Sequence, residues 1–287
     1  MSSATDDPSR RQVIAGAIGA GFALAVQPVS ATTITTSASG LDAGDVTIPS
    51  AIGAFPAYRA APKKHGKKLP VVLVVHEIFG VHEHIKDVCR RLAKEGYFAV
   101  APDLISRWGD VTTLTDNKEI MAVVAKVPDA AVMTSLDATA AWAKGTGIAD
   151  VTRLGVTGFC WGGRQVWLYA ANTDANPKPK AGVAWYGRLT GDRDDRRPGH
   201  PLDLAGRLTA PVLGLYGAED QGIPQSSVTA MQTALGAGSA AAKRSEIKVY
   251  PQAGHAFFAD YRPSYRPEAA ADGWKRMLAW FAANKVR

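Results

Sequence analysis

Leu69-Pro70-Val71-Val72-Leu73-Val74-Val75 carries no polar side chain over seven positions and is rich in β-branched residues. A run this short and this apolar reads as a strand covered on both faces, the situation of a central strand in a parallel sheet. The sequence around it agrees. From His82 to Glu95, Ile85, Val88, Cys89 and Leu92 recur at helical spacing, and Gly96 stands where such a helix stops. Tyr97–Ala101 is a further strand, closed by Pro102-Asp103. Helical patterns at Met133–Lys144, Ser226–Leu235 and Ala269–Asn284 then alternate with strands at Arg153–Thr157, Ala181–Tyr186, Val212–Gly217 and Ile247–Tyr250. That spacing predicts βαβ units, hence an α/β fold with a mostly parallel sheet and helices on both faces. Asp45–Ile48 and Ala54–Arg59 predict an opening hairpin, and a single domain over residues 45–287 accounts for the whole pattern.

The residues before that domain have a different character. Ser9-Arg10-Arg11-Gln12-Val13-Ile14 leads into an Ala- and Gly-rich apolar stretch from Val13 to Val26, and Val29-Ser30-Ala31 offers small residues for a signal peptidase. The order resembles a twin-arginine (Tat) signal, so residues 1–31 are expected to be a signal peptide and 32–44 a Thr/Ser/Gly-rich linker. The expectation is export of the folded protein by the Tat machinery to the periplasm. No apolar run approaches the roughly 18 residues of a membrane span, so no stable membrane insertion is expected after cleavage.

Charge and cysteine content narrow the function classes. The net charge is +7, but the densest basic cluster, Lys63-Lys64-His65-Gly66-Lys67-Lys68, is short and lacks interleaved aromatics. It predicts a solvated loop rather than a nucleic-acid surface, with at most some attraction for an anionic substrate. Two cysteines make neither a disulfide framework nor a cysteine-based zinc site. No phosphate-binding or dinucleotide-binding glycine motif follows a strand, and no cofactor or metal is expected. His76, His82 and His84 match no zinc spacing; the His82-Glu83-His84 pair is expected to be surface polar. Cys89, on the apolar side of its helix, is expected to be a buried small hydrophobe; beside Cys160 it would be open to oxidative pairing.

The chemistry gathers at strand ends. Gly158-Phe159-Cys160-Trp161-Gly162-Gly163 follows the strand 153–157 and opens a helix, a Gly-x-nucleophile-x-Gly elbow with cysteine as nucleophile. Such a turn sets Cys160 at a helix N-terminus, where the dipole favours a thiolate, and points the Trp161 N–H at a developing oxyanion. Gly217-Ala218-Glu219-Asp220 follows a later strand, and Ala253-Gly254-His255-Ala256-Phe257 follows the last one. Nucleophile, acid, histidine is the order of the α/β-hydrolase fold. His255 would take the thiol proton and Asp220 orient the imidazole, with Glu219 the rival acid. After the first central strand, His76-Glu77-Ile78-Phe79-Gly80 supplies a second oxyanion donor, the N–H of Ile78, and brings Glu77 toward the same pocket.

Together, Glu77-Ile78-Phe79-Gly80, Pro102-Asp103-Leu104, the Cys160 elbow, Gly217-x-x-Asp220 and Gly254-His255-Ala256-Phe257 resemble the dienelactone hydrolase (carboxymethylenebutenolidase) family from about Asp45 to the C-terminus. The resemblance implies Cys160 as nucleophile, Glu77 as its activator on substrate binding, and His255 with Asp220 completing the triad. It implies opening of a lactone such as dienelactone through a thioester, with an enolate as leaving group. The family also binds a substrate carboxylate with two arginines. Arg107 matches the first; the second position is Ala259, and Arg262 can stand in only if its loop bends back. Tyr186 is assigned to substrate binding with them, and Arg188 is a further candidate, at the head of a polar insertion over 188–208. A general carboxylesterase on the same residues, or a non-catalytic thiol redox or binding protein, are the alternative readings.

Overall fold

The computed structural model describes residues 34–287; the expected signal peptide lies outside the described residues. Eight strands form one sheet in the order β1-β2-β4-β3-β5-β6-β7-β8. They are β1 (Leu41–Ile48), β2 (Phe55–Pro62), β3 (Leu69–Val75), β4 (Phe98–Pro102), β5 (Ala149–Phe159), β6 (Ala181–Trp185), β7 (Val212–Gly217) and β8 (Glu246–Tyr250). β1, β2 and β4 pair antiparallel, and every pairing from β4 to β8 is parallel. The helices are α1 (Glu83–Lys94), α2 (Asn117–Val124), α3 (Asp129–Gly145), α4 (Trp161–Ala171), α5 (Pro201–Leu204), α6 (Gln225–Ala237), α7 (Ala240–Lys243) and α8 (Pro267–Ala283).

β3 is buried along its whole length, as its composition requires. Glycines in the strands report which helix covers which face. Gly214 of β7 lies against Trp167 of α4, whereas a side chain on Gly273 of α8 would meet Trp185 and Leu215. Gly214 and Leu215 are consecutive strand residues and face opposite ways, so α4 and α8 cover opposite faces of the sheet. The sheet is thus sandwiched between two helical layers.

Three expectations change. β1 begins at Leu41, so residues 41–44 belong to the sheet rather than to the linker. Its polar composition hides it; pairing with β2 from Leu41↔Pro62 to Ile48↔Phe55 creates it at the sheet edge. The helix α2, eight residues long, has no counterpart in the sequence pattern, and Asp116 caps it by accepting a hydrogen bond from the Lys118 N–H. The insertion 188–208 is tied to the body: Arg164 of α4 grips Asp129 at 2.6 and 2.8 Å and also reaches the Gly199 carbonyl at 3.0 Å.

Candidate active site

Cys160 sits between β5 and α4 at φ 55°, ψ −114°, a backbone conformation that costs a non-glycine residue about 1–3 kcal/mol. Its surroundings hold it there. The Cys160 N–H donates to the Trp185 carbonyl at 3.0 Å, and the Arg164 N–H donates to the Cys160 carbonyl at 3.2 Å. A Cβ on Gly158 would lie 2.4 Å from the Gly162 carbonyl oxygen, and one on Gly162 would lie 2.3 Å from that of Val75. Those two positions must be glycine because backbone crosses backbone there. Trp161 is the first residue of α4, so its N–H belongs to the unpaired first turn. Its ring stacks on His76 at 5.6 Å.

On one side of Cys160 stands His255. Its Nδ1 is 2.7 Å from Asp220 Oδ2, and the other carboxylate oxygen of Asp220 accepts the Gly222 N–H at 2.8 Å. Glu219, the rival acid, is exposed. Burial alone would push the His255 pKa down; the charges and hydrogen bonds of Cys160 and Asp220 outweigh it and raise it to about 10. Tyr186 meets the His255 ring edge-on at 5.2 Å, and its hydroxyl is buried without a hydrogen-bond partner. Tyr186 also feels the charges of both Glu77 and Cys160, and burial holds its phenol well above its ordinary value.

Glu77, 1 % exposed, shares neighbours with Cys160: the charges of both reach Tyr186 and Arg262. The Tyr261 hydroxyl donates to its Oε2, while Oε1 has no hydrogen-bond partner. Burial would raise its pKa, but the Arg262 guanidinium, with His82 and His84, holds the carboxyl well below the usual range. Arg262 is itself 6 % exposed and stacks on Phe79 at 4.9 Å. The loop after His255 therefore does bend back and brings Arg262 to the charges of Glu77 and Cys160. Arg107 is not brought to this cluster. Its guanidinium donates to the carbonyls of Ile52 and Gly53, anchoring the exposed β1–β2 turn. Arg188 is half-buried among Asp192, Arg164 and Arg197 in the insertion.

The histidines near Glu77 overturn the surface expectation. His84 is fully buried, with Nδ1 3.0 Å from Asp260, which in turn accepts from Arg91 at 2.6 Å. The His82 ring, stacked 6.1 Å from His84, places Nε2 3.4 Å from Glu77 Oε2. His76 Nδ1–H donates to the Glu77 carbonyl and its Nε2 accepts the Leu104 N–H at 2.9 Å, tying the Glu77 loop to the Pro102-Asp103-Leu104 segment. Sequence reasoning missed Tyr261, His82 and His84; their only signal was adjacency to Glu77 and Arg262, since burial is decided by packing. Cys89 is fully buried and its thiol pushed up, so it behaves as a packing side chain.

A cavity of about 260 Å³ borders Phe79, His82, Val111, Thr112, Leu114 and Ile120. A larger one, about 620 Å³, lies beside Tyr250, Arg266 and Asp272 and holds neither Cys160 nor His255. Among the described residues no group of three or more His, Cys, Asp or Glu is arranged to hold a metal ion, and no helix is long and apolar enough to cross a membrane.

Comparison with known proteins agrees with this fold. The profile of the Dienelactone hydrolase family matches residues 55–284. A Methylorubrum extorquens protein named "Putative carboxymethylenebutenolidase" is 62% identical over 275 residues, covering 95% of this chain and 92% of that protein. An Escherichia coli K12 protein of the same name is 54% identical, over 91% of this chain and 94% of its own. The crystal structure of a Klebsiella pneumoniae protein titled "Putative Dienelactone Hydrolase" superposes with a TM-score of 0.79 at 54% identity, covering 84% of this chain and 98% of that one. An α/β-hydrolase sheet, a strand-end elbow at Cys160 and these matches lead to one conclusion: the chain belongs to the dienelactone hydrolase family, hydrolases of ester and lactone bonds.

Proposed function

We propose that the chain opens lactones such as dienelactone through a thioester on Cys160, with an anionic substrate as the trigger. The observation that carries the reading is a buried Arg262 whose charge acts on both Glu77 and Cys160. At rest the guanidinium makes Glu77 a weak base. A substrate carboxylate that pairs with Arg262 neutralises that charge, and Glu77 becomes able to take the thiol proton. The thiolate then attacks the carbonyl carbon, and the N–H groups of Ile78 and Trp161 receive the oxyanion. As the ring C–O bond breaks, the leaving oxygen takes the proton of the His255 imidazolium. Acylation also removes the Cys160 charge, one of the causes that raise the His255 pKa. The now neutral imidazole is a better base when it must deprotonate water, which attacks the thioester; the C–S bond breaks, and the expelled thiolate takes the acid proton of the new carboxyl group, restoring the thiol and freeing a carboxylate product.

A second reading, broad hydrolysis of neutral esters on the same residues, draws support from Arg107. Only one of the two expected carboxylate partners, Arg262, stands beside the nucleophile. Hydrolysis of dienelactone and of p-nitrophenyl acetate by wild type, Cys160→Ala and Glu77→Gln distinguishes the two. The first reading expects fast lactone opening, reduced by about 10³-fold or more in Cys160→Ala and strongly impaired in Glu77→Gln. Ester cleavage alone, with Glu77 dispensable, favours the second. Equal turnover by wild type and Cys160→Ala defeats both.

We also propose that the protein is exported to the periplasm through Arg10 and Arg11. Replacing both arginines by lysine should leave the full-length protein in the cytoplasmic fraction; an unchanged periplasmic pool would refute the signal.

A further inference from the structure

His82 is placed unlike any other histidine of the chain. His76 has both ring nitrogens committed, to the Glu77 carbonyl and the Leu104 N–H. His200 bonds Arg164 and the Asp192 carbonyl, His255 is fixed by Asp220, His84 by Asp260, and His65 by the Lys67 carbonyl. His82 is only 10 % exposed; its Nε2 faces Glu77 alone, and its Nδ1 is buried with no hydrogen-bond partner. A buried polar atom left unpaired costs stability, so packing alone does not explain an imidazole there. An aromatic hydrocarbon would meet Phe79, Tyr261 and His84 equally well.

What the position does offer is two neighbours of different kind. On one side Nε2 is 3.4 Å from Glu77 Oε2. On the other the ring lines the cavity of about 260 Å³, whose wall carries the hydroxyl residues Thr112 and Thr115. A space of that size with hydroxyls and an imidazole on its wall is suited to hold water. We propose that His82 is a positioning residue for Glu77 that relays the proton taken from the Cys160 thiol out to water in this cavity. The step balances without a further reactant. The Glu77 O–H bond breaks as an Nε2–H bond forms on His82, and the Nδ1–H proton passes to water, regenerating a neutral imidazole and an ionised Glu77. One nitrogen within reach of Glu77 and a second committed to no protein group are what such a passage needs.

The charged and titratable groups facing His82 are compatible with the role. Glu77 from the loop after β3 favours its cation, while burial together with His84 of α1 and His76 at the end of β3 oppose it. The imidazole is thus held below its ordinary pKa and releases a proton readily near neutral pH. Tyr261, before α8, contributes a ring edge and gives its hydroxyl to Glu77. The residues of this segment that line the cavity, Val111, Thr112, Leu114, Thr115 and Ile120, bear no charge; Asp116, Lys118 and Glu119 of the same segment are not among the lining residues.

The inference rests on the proposed role of Glu77, and the test separates the two. In purified protein, His82→Ala should lower kcat on an anionic lactone by about 30-fold with KM moved less than about threefold. Free imidazole, small enough for the enlarged cavity, should restore about tenfold, following the fraction of neutral imidazole as pH changes. His82→Gln keeps volume and a hydrogen bond to Glu77 but cannot pass a proton, so it should stay slow and unrescued. Wild-type kcat in His82→Gln, or no imidazole response in His82→Ala, overturns the relay. If His82→Ala does not fold, the kcat of His82→Gln decides alone. In a Glu77→Gln background, adding His82→Ala should change kcat less than about twofold; a larger further loss contradicts passage through Glu77. A fully active Glu77→Gln would instead remove the reading beneath, whereas an impaired Glu77→Gln beside a wild-type-like His82→Ala would defeat this inference alone.

Discussion

The two sides of Cys160 are built on opposite principles. On the His255 side the base and its acid are fixed: Nδ1 to Asp220 at 2.7 Å, and Asp220 in turn to the Gly222 N–H at 2.8 Å. On the Glu77 side the carboxylate has one oxygen without a partner, an imidazole beside it whose far nitrogen is unpartnered, and a buried guanidinium whose charge depresses its pKa. The first arrangement is pre-organised and needs no movement to act. The second is balanced by charges that a substrate can alter. On the proposed reading, a fixed base and a substrate-sensitive carboxylate together keep the Cys160 thiol quiet until an anionic ligand arrives.

That contrast can be broken at its rigid side with the largest effect. Asp220→Asn should reduce kcat by about 10³–10⁴-fold, because the imidazole loses both its orientation and the charge that stabilises its cation. Glu219→Gln, one residue away and exposed, should stay within about twofold. Steady-state kinetics on one ester reads both; a large Glu219 effect would reverse the assignment of the acid.

Glu77→Gln should cost about 10²-fold in kcat on the anionic lactone and should also destabilise the protein by about 3 kcal/mol at pH 7, since Arg262 is left buried without its anion. The sign of the pH dependence follows from the depressed Glu77 pKa. Its contribution is complete above the ordinary value near 4.5 and is lost as pH falls from there toward the native value. Urea unfolding of wild type and variant should therefore converge as pH drops below about 4.5; a gap that widens toward acid would contradict the ionised state of Glu77.

Arg262→Met sharpens the comparison with the smallest expected effect. kcat/KM for the anionic lactone should fall by about 50-fold, near 2 kcal/mol, while a neutral ester changes by less than about fivefold. Equal losses on both substrates would make Arg262 a structural residue rather than the one that senses the substrate's charge. A gain on the neutral ester, from a Glu77 freed of its cation, would strengthen the contrast further.

The periodicities of the chain were sufficient for the parallel sheet, because an apolar β-branched run such as Leu69–Val75 has few other ways to be buried. The elbow was legible for a similar reason. Backbone crossing at Gly158 and Gly162 tolerates no side chain, so the glycines print the turn into the sequence. Asp220 and His255 were legible as strand-end residues in a fixed order, although the preference for Asp220 over Glu219 needed the side-chain direction that only the turn supplies. The edge strand β1 was half hidden, since its polar residues become a strand only by pairing with β2.

The carboxylate side of the site belongs to tertiary structure. Glu77, His82, Tyr261 and Arg262 come from two loops nearly 180 residues apart, and nothing local to either states that they are buried together. The sequence determined the fold and the strand-end places of Cys160, Asp220 and His255, because each is tied to a local rule of strand, turn or helix start. Packing decided that Arg262 rather than Arg107 stands beside the thiol, and that a pair of histidines with the look of surface residues is buried against Glu77. The physical reason is that desolvation and charge pairing depend on which distant segments meet, a property of the folded chain as a whole.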